Sequence, residues 1–474
     1  MLHRMSRRDF LRLSAGAVGA TALMACTPAA APEQSSTQDT ADASPGKKTE
    51  IRFASFDWFA NVPGIQWAEY HETEAFPQYY EEQGDVEILW EPHGDGWSTK
   101  VLTNMAAGTA PDVMSTWPPI INTWSEKGQL LDLQPLVDVD IPDADDIFLK
   151  TGWDQCWDPF TQTRMSLVTN VDVNSIYYSK DAFDEAGVPY PAKDWTVEDC
   201  TEIATQLILR DDNGNITRWG GELRPSYELG YFHFVDAFGG MVRDEDTQMT
   251  CLLGEEQALQ ALEWIREGMW DINCFAQRNQ INATGIPNTW TGALPANVVA
   301  FMGRSADMFF DLADSLPEGS WDINHAPAGP EEAVCHGSPD VWCIYKGVAE
   351  RGNQDAAWEY LKWMGAGEWY QDNVAKRSAR LPGLTSSAEK WPGILREIDG
   401  RLEPVDLEVI LDQLKTNEAR GPQLFRFQSV AEELFKPAMD SIFVEGAASV
   451  SIMEDVAQQI TEAQMEALER EGQG

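Results

Sequence analysis

Positive charge is scarce in this 474-residue chain: 34 Lys and Arg stand against 77 Asp and Glu, for a formal net charge of -43. That balance repels a phosphate backbone and an anionic bilayer surface, so nucleic acid is not expected as a partner. Histidine numbers only 6, and no Cys-x-x-Cys pair or His-rich cluster occurs. The usual zinc frameworks are therefore missing, and neither a metal nor a cofactor is expected. The chain lacks a Gly-x-Ser-x-Gly elbow and a P-loop, so no serine nucleophile and no nucleotide cradle is marked. Acidic pairs are so common that none is distinguished as the acid and base of a glycosidase, and no catalytic residue is assigned. The N-terminal apolar run, Ala15 to Met24, is too short to span a bilayer as a helix.

What the chain has is apolar surface. Hydrophobic residues make up 43%, with 19 Trp, enough to fold, and the length exceeds that of a typical single core. Two lobes are expected. The acidity reads as a solvated, soluble surface. Ahead of the folded body, Ser6-Arg7-Arg8-Asp9-Phe10-Leu11-Arg12 resembles a twin-arginine export motif, and Leu23-Met24-Ala25-Cys26 resembles a bacterial lipobox. Residues 1–26 are thus expected to be a signal peptide, with Cys26 lipidated, and 27–48, rich in Ala, Pro, Ser and Thr, a flexible linker. The other cysteines are Cys156, Cys200, Cys251, Cys274, Cys335 and Cys343. Export permits disulfides; Cys251–Cys274 and Cys335–Cys343 are the first pairs to test, whereas Cys200 reads as core.

Short strands at Ile51–Ala54 and Val86–Trp90 alternate with a helix that Ser98 could cap and Gly108 ends, the pattern of an α/β lobe. The stretch Met165–Pro191 is different. Val168, Val171, Val173, Ile176 and Tyr177 suit a buried strand, yet Asn170, Asp172 and Asn174 interrupt it. Such a strand makes sense where it crosses from one lobe to another through a cleft and meets a polar ligand. Ser179 caps the helix that follows, and Gly187 stops it. Thr196 with Asp199 predicts a capping box. Asp211-Asp212-Asn213-Gly214-Asn215 lacks the glycine spacing of a calcium loop and reads as a tight turn. Val298–Met302 predicts a strand breaking at Gly303-Arg304-Ser305, where free N–H groups and the Arg304 guanidinium could meet a ligand.

The runs Gly108-Thr109-Ala110-Pro111-Asp112-Val113, Gly128-Gln129-Leu130-Leu131-Asp132-Leu133, Tyr177-Tyr178-Ser179-Lys180, Glu185-Ala186-Gly187-Val188-Pro189 and Arg377-Ser378-Ala379-Arg380-Leu381-Pro382 together resemble family 1 extracellular solute-binding proteins of ABC importers, maltose- and sugar-binding-like. The resemblance implies a two-lobed α/β fold of the type II periplasmic-binding class, each lobe a mixed sheet flanked by helices. Lobe 1 is expected at 49–170 and 336–382, and lobe 2 at 171–335 and 383–474. The implied function is non-enzymatic: a monomeric, lipid-anchored receptor on the extracytoplasmic face that carries a mono- or oligosaccharide to separate permease subunits. A secreted polysaccharide hydrolase, an adhesive surface lipoprotein and a glycerophosphate receptor are the rival readings. Sugars combine C–H faces with hydroxyls, so Trp or Tyr platforms beside Asp, Glu, Asn and Arg are sought. The platforms are Trp58, Trp117, Tyr227 and Trp342, and the polar contacts are Asp57, Asn170, Asp172, Glu228, Arg304, Asp340 and Arg380.

Overall fold

A single residue, Asn174, separates two strands that belong to two different sheets. The computed structural model describes residues 48–56, 70–84, 86–94, 96–416 and 418–471, all within one compact unit. Cys26, the expected signal peptide and linker, and Asp57 with Trp58 lie outside the described residues. The strands are β1 Thr49–Phe56, β2 Val86–His93, β3 Val113–Thr116, β4 Trp157–Asp158, β5 Thr163–Arg164, β6 Leu167–Val173 and β7 Ser175–Ser179, followed by β8 Leu209–Arg210, β9 Ile216–Glu222, β10 Val299–Arg304, β11 Trp321–Asn324, β12 Cys335–Ile344, β13 Leu381–Pro382 and β14 Ala419–Arg420. The first sheet runs β13-β6-β12-β3-β1-β2, with β14 beside β12; the second runs β11-β7-β10-β9-β8. Both are mixed: β1 pairs parallel with β2 and β3, while β12 runs antiparallel to β3 and β6, and in the second sheet β10 pairs antiparallel with β7 and parallel with β9. Helices flank each sheet, so the fold is the expected mixed α/β arrangement.

Local chemistry fixes several element ends. The Ala182 N–H donates to Ser179 Oγ (3.2 Å), and Gly187 closes that helix at φ 67. Thr196 and Asp199 form the expected reciprocal box, and Cys200 is buried on the apolar face of the helix they start. Asp211 accepts from Asn213 and Asn215 N–H groups inside the β8–β9 turn. One cap differs: the helix Trp97–Ala106 begins at Gly96, φ 67, so Ser98 sits within its first turn instead of before it. A left-handed entry needs glycine, and that requirement outweighs the capping preference of serine.

Trp124, Trp195, Trp321, Trp342 and Trp391 are among the largest fully buried side chains. At about 25 cal/mol per Å2 over the ~150–250 Å2 of such a ring, each contributes roughly 4–6 kcal/mol as an upper bound. One apolar core lies on the first sheet and continues onto one face of the second through Tyr177, Met302, Phe309 and Trp321. A second core covers the opposite face of the second sheet and includes Phe435, Ile442 and Met453 from the C-terminal helical region, in which Gln428–Met439 and Ile452–Glu471 are the main helices. The six described cysteines are all buried free thiols. This corrects both candidate disulfides. Cys335 and Cys343 open and nearly close the same strand, eight residues apart and so about 26 Å, far beyond bridging reach. Cys251 and Cys274 are likewise unbridged in the second core.

Asp236, on the helix Phe232–Ala237, is held by the Gln423 side-chain amide. Burial pushes its carboxyl up to about 7, and the nearby Arg420 guanidinium does not fully oppose this. An acid raised on folding stabilises below its unfolded pKa, and that contribution is lost as pH rises through the folded value. Relative to Asp236→Asn, the wild type should therefore lose stability progressively between about pH 4 and pH 7, by at most about 1.4 kcal/mol for each pH unit crossed. Thermal melts of both proteins across that range check this; a constant difference at every pH contradicts it.

Candidate ligand-binding cleft

The crossing strand delivers its polar residues to one face. In the antiparallel register Asn170 lies opposite Asp340 and Asp172 opposite Ser338, while Val171 and Val173 point the other way into the core. A β-bulge between Asp340 and Val341 ends this run and turns the rest of β12 inward. Asn170 Nδ2 donates to Asp340 Oδ2 (3.1 Å), which holds the carboxylate upright on the sheet.

From the second sheet, the carboxyl ends of β9 and β10 bring Arg224, Ser305 and Asp307 against that face. Strand ends of open α/β sheets are where such folds place ligands. At this cleft, ion pairs join the sheets from Arg224 Nη1 to Asp172 Oδ2 (3.0 Å) and from Arg380 Nη2 to Asp307 Oδ2 (3.0 Å). Arg380 also forks to Asp340 Oδ2 (2.8 Å). Together these side chains line a cavity of about 250 Å3, with Trp117 and Trp290 among its walls. Burial pushes the Asp307 and Asp340 carboxyls above the ordinary range, against the pull of Arg380. His336, 2% exposed, lines the same cavity; burial, with Arg224 and His233 nearby, holds it well below the usual imidazole range and so neutral.

Both tryptophans are held in place. Trp117 precedes the helix Pro118–Glu126 at the end of β3, and its ring meets Trp97 edge-on at 5.5 Å; Trp97 in turn stacks on His93 at 4.4 Å. Behind Trp290 lies Arg304, whose guanidinium sits 4.7 Å over the ring and whose Nε donates to the Trp290 carbonyl (2.9 Å). Arg304 itself is wholly buried against Glu222, 1% exposed on the neighbouring strand β9, with Arg278 Nη1 3.4 Å from the same carboxylate.

Of the residues singled out in the sequence, Trp117, Asp172, Asp340 and Arg380 come together in this cavity, and Asn170 supports it from behind. Tyr227 and Glu228 line a neighbouring cavity of about 350 Å3, on a π-helical turn, Tyr227–Tyr231, capped by Ser226. Two expected contacts are corrected. Arg304 faces Glu222 rather than solvent, because Gly303 and Arg304 remain within β10 and the chain turns only afterwards, so no strand-to-helix break exposes it. Trp342 is 1% exposed and packs on Phe53 at 5.0 Å, past the bulge and inside the core. Arg224, Trp290, Asp307 and His336 were not anticipated. For Arg224 and Asp307 a signal existed: each is a charged residue within a few positions of a strand's carboxyl end. Trp290 and His336 carry none.

No curated protein matches the sequence significantly. Solved structures do resemble the fold. An ABC substrate-binding protein from Listeria monocytogenes, in complex with cycloalternan, has 17% identity and a TM-score of 0.72, covering 89% of this chain and 99% of its own. An ABC transporter solute-binding protein from Thermotoga lettingae bound with α-D-tagatose has 15% identity and a TM-score of 0.69, covering 88% and 100%. UgpB from Mycobacterium tuberculosis, in complex with glycerophosphocholine, has 17% identity and a TM-score of 0.68, covering 90% and 99%. No helix among the described residues is long and apolar enough to cross a membrane. The family model for bacterial extracellular solute-binding proteins matches residues 68–369, more than half of the sequence, and the chain belongs to that family.

Proposed function

We propose that the chain is the extracytoplasmic receptor of an ABC importer, closing two lobes on a mono- or oligosaccharide and delivering it to separate permease subunits. The observation that carries this reading is the cavity between the sheets, where Trp117 and Trp290 supply ring faces and Asp172, Asp340, Arg224 and Arg380 supply hydroxyl partners. The adjoining cavity beside Tyr227 and Glu228 offers room for a further sugar unit. Two of the similar structures hold cycloalternan and tagatose, in line with this solute class. A third holds glycerophosphocholine, but three carboxylates on the cavity wall weigh against a phosphodiester here. The protein makes and breaks no bond. Lobe 1 comprises 49–170 and 336–382, and lobe 2 comprises 171–335 and 383–474, with closure a hinge motion about the crossing strands. Twin-arginine export and a lipid on Cys26 hold this monomer at the cell membrane.

The test is a fluorescence titration of the purified protein with neutral mono- and oligosaccharides. Trp117→Ala and Trp290→Ala should each weaken the affinity found by about tenfold with the fold intact. Unchanged affinity in both variants, or cleavage of the sugar, overturns the reading.

A further inference from the structure

Charge is not balanced at the cleft. Three carboxylates, Asp172, Asp307 and Asp340, and two guanidiniums, Arg224 and Arg380, line the cavity, leaving one formal negative charge among the described residues. The groups packed around it do not restore neutrality. Arg304 is neutralised by its contact with Glu222. Arg278 belongs to the wall of the neighbouring cavity, where it donates to the Thr289 carbonyl (2.7 Å) and is partly solvated. Asp311 adds a further carboxylate, raised by burial and then by the nearby Asp307. His336 and His233 are both held neutral by burial beside Arg224.

Four polar atoms of the lining are also without a protein partner among the described residues: Asp172 Oδ1, Asp307 Oδ1, Arg224 Nε and His336 Nε2. Asp172 Oδ1 and Asp307 Oδ1 are buried and accept no hydrogen bond, although the other oxygen of each is paired with a guanidinium. Asp172 lies on β6 and Asp307 just beyond β10, and both residues line the same cavity, so a ligand between the lobes meets both side chains. A hydroxyl could donate to either oxygen, but it would leave the buried charge uncompensated. A protonated amine supplies several N–H donors and the missing positive charge at once.

We propose that the solute carries one basic nitrogen, an amino sugar or a glycan containing one, and that Asp307 with Asp172 receives its ammonium. This deepens the carbohydrate reading and rests on it. Asp307 is then the residue that sets specificity between an amine and a hydroxyl at the same ring position.

Matched ligands separate the two claims. The full-length protein is titrated by calorimetry with glucose and glucosamine, with galactose and galactosamine, and with cellobiose, its diamino counterpart and N,N′-diacetylchitobiose. The amine should bind at least about tenfold tighter than its hydroxyl partner, and the N-acetyl form should lose that advantage, because acetylation keeps the nitrogen but removes the charge. In Asp307→Asn, whose folding is checked by its melting curve, the amine-to-hydroxyl ratio should fall towards one. A hydroxyl sugar that binds as tightly as its amine overturns the amine assignment and leaves the carbohydrate reading standing. If no sugar of either kind binds, the carbohydrate reading falls and this inference with it.

Discussion

Replacing Glu222 with alanine should lower the unfolding free energy by about 3–5 kcal/mol, the largest single effect expected in this protein. Arg304 is fully buried, and Glu222 is the carboxylate in contact with it. Removing that carboxylate leaves a guanidinium in the interior with, among the described residues, the Gly303 and Trp290 carbonyls as acceptors. Burial already acts against the charge on Arg304, and Glu222 is what opposes it. Because Arg304 also backs Trp290, the variant should bind solute more weakly as well as melt earlier. Glu222→Gln keeps an acceptor without the charge and should fall between the two. Chemical denaturation monitored by tryptophan fluorescence measures this. A loss under about 1 kcal/mol would mean the pair is dispensable, as an exposed ion pair would be.

Arg380→Ala should have the second largest effect, about 3 kcal/mol in stability and on the order of a hundredfold in solute affinity. The reason is geometric. One guanidinium forks to Asp340 within the first sheet and to Asp307 beside the second, so its loss strands two carboxylates and unfastens an ion pair that joins the sheets at the cleft. Both carboxyls are already raised by burial, and without Arg380 they rise further. An acid raised on folding favours the native state at low pH, so the stability deficit of the variant should shrink as pH falls towards about 4 and grow as it rises. Arg380→Lys retains the charge but not the planar fork and should recover only part of the affinity. Equal deficits for the alanine variant at pH 5 and pH 8 would contradict this account.

How much of this was legible beforehand depends on the range of the physics involved. Ser179, Thr196 with Asp199, and the Asp211 turn act within a few residues, and all three form as their sequences indicate. The crossing was also readable, since Asn170, Asp172 and Asn174 interrupt an apolar strand, a pattern that ordinary core packing does not produce. Its division into two strands about Asn174 was not, because that depends on which neighbours each half finds. Trp342 and Asp340 are two residues apart in one strand, yet one is core and the other lines the cleft; the bulge between them is a tertiary feature with no local signature. Trp290 comes from a loop segment without periodicity, and its place is fixed by the buried Arg304 beneath it together with Arg224 and Arg278 beside its ring. Arg304 was read as a ligand contact for the same reason: a charged residue near a strand end looks identical whether its partner is a solute or a distant carboxylate such as Glu222.

The central claim is that a carbohydrate binds between the two sheets against Trp117 and Trp290. The most direct measurement is the intrinsic tryptophan fluorescence and melting temperature of the wild-type protein across a panel of neutral and amino mono- and oligosaccharides, with a glycerophosphodiester and an amine without a sugar ring as controls. The account predicts saturable changes in both signals for at least one sugar and for neither control, since a ligand bound only to the folded state raises its stability. Responses confined to the controls, or no response to any sugar at millimolar concentration, would contradict it.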